Sequence, residues 1–82
     1  MPDTPGVRRR NELNARRARS KRAAELLRAE IWEAGRVAGL PDRQRWLAGE
    51  AAYIDVLDES GAWPKLVEEL RAALFKRQAG ST

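Results

Sequence analysis

Apolar positions recur along this chain at helical intervals, and no stretch alternates with the period of two that a half-buried strand requires. From about residue 11 to residue 38 strong helix formers run without a proline, and only Gly35 is out of place. At 100° per residue, Leu13, Ala24, Leu27, Ile31, Ala34 and Ala38 form one stripe, with Leu26, Trp32 and Val37 outside it. Gly39-Leu40-Pro41-Asp42 ends this helix, and Pro41 suits the first turn of the next. A second helix is expected over residues 41–59, with Trp46, Leu47, Ala51, Tyr53, Ile54 and Leu57 inward. Ser60-Gly61 stops it. Pro64 opens a third, with a stripe of Leu66, Val67, Leu70, Ala73 and Leu74. Its acids Glu68 and Glu69 precede Lys76 and Arg77, the order that the helix dipole favours.

The pattern predicts an all-α fold, a small three-helix bundle made of a long first helix followed by an αα-hairpin. Residues 1–10, with Pro2, Pro5 and Gly6, are expected to be a disordered basic N-terminus. Residues 11–78 then form a single helical domain with an arginine-rich start (8–22), and residues 79–82 a frayed tail.

Composition narrows the function. The chain has 82 residues with no His and no Cys. This excludes a disulfide framework, a Cys/His zinc site, a Cys nucleophile and a Ser-His-Asp triad. No metal or other cofactor is expected, and the chain is not read as an enzyme. Asp55, Asp58 and Glu59 read as a solvated acidic patch. No run of about 18 apolar residues is present, so no membrane span is expected and the expected location is cytoplasmic. About 56 packed residues make a marginal core. The three Trp are expected to anchor it. Apolar residues left over, Leu26, Val37, Leu40 and Phe75, would be buried by a homodimer or another partner.

Charge is distributed unevenly. Residues 1–28 hold nine basic and three acidic residues, a net of +6, whereas residues 29–82 hold seven and nine, a net of −2. A basic arm on a mildly acidic body suits a polyanionic partner. Thirteen Arg against three Lys, beside fourteen Ala, also fits a biased coding background. Within residues 8–22 the basic side chains project all round a helix. Such a segment is expected not to pack on the body, and to order when phosphates cancel its self-repulsion. Arg8, Arg9, Arg10, Arg16, Arg17, Arg19, Lys21 and Arg22 are the candidate phosphate ligands, with Asn11 and Asn14 for base edges.

The string Arg10-Asn11-x-x-x-Ala15-Arg16-Arg17-x-Arg19-x-Lys21-Arg22 resembles the basic region of basic leucine-zipper proteins. The resemblance implies that the face shared by Asn11, Asn14, Ala15, Ala18, Arg19 and Arg22 enters a major groove. The continuing heptad positions are Leu26, Glu33 and Leu40, followed by Pro41, so no zipper follows. The segment is also similar to the arginine-rich peptides of phage antitermination proteins, which implies an RNA hairpin as target. Each resemblance covers about 13 to 15 residues.

The expected function is that of a small nucleic-acid-binding regulatory protein, acting on DNA or structured RNA. The alternative is a phage- or mobile-element-type protein that docks on a large nucleic-acid machine, such as RNA polymerase or a CRISPR effector. Its acidic face (Glu50, Asp55, Asp58, Glu59, Glu68, Glu69) would then mimic phosphates.

Overall fold

A computed structural model describes the backbone of residues 5–79 and the side chains of residues 10–79. The fold is all-α, with helices α1 (Pro5–Val37), α2 (Asp42–Ser60) and α3 (Pro64–Ala79). The first helix begins at Pro5 rather than near residue 11, as suits a proline in a first helical turn. Of the expected disordered start, residues 1–4 lie outside the described residues, as do residues 80–82 of the expected frayed tail.

Both breaks lie where glycine allows a left-handed backbone. At the end of α1, Gly39 has φ +78°. The Leu40 amide donates to Gly35 O and the Gly39 amide to Arg36 O, the paired bonds of a Schellman cap. Pro41 lies just outside α2, at φ −58° and ψ 148°, rather than within its first turn. Gly61 (φ +67°) ends α2 and donates to Asp58 O. Ser60 Oγ reinforces this turn, donating to Leu57 O and accepting from the Ala62 amide.

Helix α2 runs back along α1 and α3 runs back along α2, so α2 lies between its neighbours. Among the described residues the backbones of α1 and α3 do not approach one another closely. The result is an open layer with extents of 55 × 27 × 15 Å. The core of Ala24, Tyr53, Ile54, Leu57 and Val67 sits towards the α2–α3 turn, with Trp63, Leu66, Leu70 and Leu74 packed around it.

The inner faces differ from those read along the sequence. On α1 the buried residues are Ser20, Ala24 and Gly35, with Leu27, Arg28 and Ile31 half-buried. Ala34 and Ala38 are exposed. Leu13 lies on the expected azimuth but N-terminal to the segment that α2 covers, and it is 38% exposed. On α2, Tyr53, Ile54 and Leu57 are buried as expected, Trp46 and Leu47 half-buried, and Ala51 exposed. On α3, Val67 is buried while Ala73 is exposed.

The helix pair instead closes on two reciprocal Arg–Gly contacts. Arg45 of α2 crosses Gly35 of α1, where an added Cβ would meet its Cγ at 2.6 Å. Arg28 of α1 crosses Gly49 of α2, where the equivalent distance is 3.2 Å. An arginine stem is hydrocarbon, so the charged head reaches polar partners while the stem fills the helix interface. Arg45 is only 8% exposed. It donates from Nε to Trp32 O at 3.1 Å and from Nη1 to Asp42 Oδ1 at 3.1 Å. Arg28 donates to Glu50 Oε1 at 3.3 Å.

Trp63 packs against the core as its size suggested, whereas Trp32 and Trp46 are not part of it. Trp32 is 38% exposed, and Trp46 and Trp63 are half-buried. The two outside the core each carry a cation over the ring: Arg45 on Trp32 at 3.8 Å and Arg77 on Trp46 at 4.7 Å. Tyr53 has Arg28 over its face at 4.4 Å. Burial pushes the Tyr53 phenol up from its ordinary value, and the nearby Arg28 charge opposes that shift.

Candidate nucleic-acid interface

Between Pro5 and Arg16 the helix α1 extends about 18 Å, at 1.5 Å per residue, before its first polar contact with the turn at Arg17. Arg10, Asn11, Asn14, Arg16, Arg19, Lys21 and Arg22 are exposed, and Arg17 is half-buried. Arg8 and Arg9 continue the helix, but their side chains lie outside the described residues.

The charged segment does pack on the body from Arg17 onward, contrary to expectation. Ser20 and Ala24, one turn apart, are small enough to let the α2–α3 turn approach. Trp63 Nε1 donates to Arg17 O at 3.2 Å and to Ser20 Oγ at 3.1 Å. In return Arg17 Nε donates to Ala62 O at 3.1 Å. Arg17 and Lys21 lie over the Trp63 ring, 5.4 and 5.5 Å from its centroid. Cation–π attraction and the apolar stems let two positive residues cover an indole without burying their charges. A charge census treats these residues as solvent-facing. The signal for docking was the Ser20/Ala24 pair amid the basic run.

This docking orients the arm. Taking Ser20, Ala24 and Ile31 as the body-facing side, Asn11, Ala15, Ala18, Arg19 and Arg22 fall on the far side. They leave an open face of small, amide and guanidinium side chains. Asn14 lies between that face and the Arg17–Lys21 flank. Arg10, Arg16, Arg19 and Arg22 have no hydrogen bond or ion pair with a described residue. The ion-paired arginines, Arg28, Arg36, Arg45 and Arg71, all lie further along the chain.

The acidic face is partly neutralised from within. Arg71 reaches Asp58 Oδ2 at 3.0 Å and Asp55 Oδ1 at 3.7 Å. Among the described residues no group of three His, Cys, Asp or Glu has the proximity to hold a metal ion. No described helix is long and apolar enough to cross a membrane. No protein-family model, characterised protein or solved structure matches this chain, so its own geometry carries the functional reading.

Proposed function

We propose that this chain is a small regulatory protein that binds DNA or structured RNA through the basic N-terminal part of α1. Arg10, Arg16, Arg19 and Arg22 contact phosphates, Asn11 and Asn14 reach base edges, and Arg17 and Lys21 approach from the flank. One observation carries this reading. Four exposed arginines in the N-terminal half of α1 have no partner among the described residues, while most arginines of the body are paired or stacked. A concentration of unpaired guanidinium groups repels itself, and phosphates relieve that repulsion while matching the planar fork. Docking on a nucleic-acid machine through the acidic face draws less support, because Asp55 and Asp58 already engage Arg71.

The test replaces Arg10, Arg16, Arg19 and Arg22 with Gln in the full chain, leaving Arg17, Ser20 and Lys21 to hold the body. Fluorescence anisotropy is read on labelled duplex DNA, single-stranded DNA and hairpin RNA across a salt series. On duplex DNA the wild type should lose affinity steeply with salt. The variant's log–log slope should be shallower by about 3 to 4, near 0.9 for each phosphate contact removed. Absence of wild-type binding to all three at low salt defeats the proposal.

A further inference from the structure

At the foot of the arm, Arg17, Ala62, Trp63, Pro64, Lys65 and Leu66 line a cleft of about 350 Å³. That volume is at the lower end of ligand-sized clefts, roughly 300–1,000 Å³. No carboxylate lines it. Arg17 is fixed there by its Nε bond to Ala62 O, and neither Nη group has a partner among the described residues. Lys21 extends over the Trp63 ring from the next turn of α1. Lys65 is exposed, and no carboxylate lies within 4 Å of its ammonium among the described residues. A guanidinium already held in place loses little freedom when it binds an anion.

The cleft continues a stripe on the arm. Arg10, Asn14, Arg17 and Lys21 are spaced i, i+4, i+7 and i+11, which places them along one side of α1. That stripe runs down the helix to Trp63 and Lys65. It is distinct from the far face of Ala15, Ala18, Arg19 and Arg22. The larger groove between α1 and α2, about 440 Å³, suits an anion less. It is lined by Glu25 and Glu50, and Arg45 already stacks on its Trp32.

Building on the nucleic-acid reading, we propose that this cleft is a second phosphodiester site, with Arg17 and Lys65 of its lining as ligands and Lys21, over the Trp63 ring, adding charge beside it. The strand bound by the arm passes along the Arg10–Asn14–Arg17–Lys21 stripe and onto the body. Glu68 and Glu69, on the next turn of α3, bound the positive region on that side.

Lys65 tests this cleanly, because it is exposed, lies outside the core and makes no contact that holds the arm. Full-length K65A, K65E and E68K are titrated with labelled duplex DNA, single-stranded DNA and hairpin RNA. K76A serves as control, since that lysine lies at the far end of α3. Circular dichroism confirms that each variant retains its helices. For K65A the salt slope should become shallower by about 0.9 on duplex and about 0.7 on a single strand. K65E should weaken binding about tenfold at 0.1 M salt, E68K should strengthen it, and K76A should match wild type. Which nucleic acid shows the Lys65 effect identifies the source of the phosphodiester. Wild-type binding with K65A and K65E unchanged overturns the cleft while leaving the arm proposal standing. An equal loss in K65A and K76A also overturns it, because nonspecific charge then explains the effect. If wild type binds none of the three, both proposals fall.

Discussion

Gly35 is the residue at which helix propensity and packing conflict. Replacing a helical glycine with alanine ordinarily stabilises a helix, by about 1 kcal/mol in its interior and less in the last turn, where Gly35 lies. Here the new methyl would meet Arg45 Cγ at 2.6 Å, and that atom is the buried root of the side chain, not its mobile end. Moving it disturbs the Trp32 stack and the bonds to Trp32 O and Asp42. Overpacking costs about 1–3 kcal/mol, and a hydrogen bond to a charged group contributes about 1.5–3. G35A should therefore destabilise by about 1–2 kcal/mol in urea denaturation. In an R45A background the obstruction is gone, and the same substitution should stabilise by up to about 1 kcal/mol. A sign that does not invert between the two backgrounds would disprove the close-approach account.

At the scale of elements, the three helices were legible because their ends are chemically marked. Gly39 and Gly61 provide positive φ, and Pro41 and Pro64 interrupt the amide ladder at the next start. The inner face of α1 was not legible. Alanine is spread around that helix and so identifies no side, while Arg28 and Arg45 count as polar although their stems occupy the interface. The arm's charge could be read directly from the sequence. The docking of Arg17, Ser20 and Lys21 could not, because it needs Trp63, more than forty residues away. Two truncations separate the projecting turns from the docked one. Removing residues 1–15 should leave the stability of the body nearly unchanged. Removing residues 1–22 also deletes both acceptors of the Trp63 indole and the cations over its ring. It should cost about 2–4 kcal/mol more, read as the difference in urea unfolding free energy. Equal losses would mean that the projecting turns themselves support the body.

The whole molecule has much surface for its mass. Its accessible area is 6351 Å², against about 4,900 Å² for a typical 9.2 kDa monomer. The radius of gyration is 16.2 Å, against about 12 Å for a compact domain of this length. Leu26 and Phe75, 58% and 71% exposed, belong to that excess. A layer in which, among the described residues, the α1 and α3 backbones do not approach closely leaves its middle helix as the main source of cohesion, so intrinsic stability should be low. Binding energy gained by the native state therefore forms a large share of the total. At a nucleic-acid concentration 100 times Kd the gain is about 2.7 kcal/mol, and for a domain of this size 1 kcal/mol moves Tm by about 4–8 °C. Saturating duplex DNA or hairpin RNA, whichever the titration selects, should raise Tm by at least 10 °C in a circular dichroism melt. The increment should shrink with added salt and largely vanish in the four-Gln variant. The cleft makes a further demand, because a phosphodiester held by both Arg17 and Lys65 ties α1 to the start of α3. At one fixed nucleic-acid concentration K65A should show a smaller thermal increment than wild type, by the amount its weaker Kd dictates. An arm that bound without touching the body would give Lys65 no part in that increment.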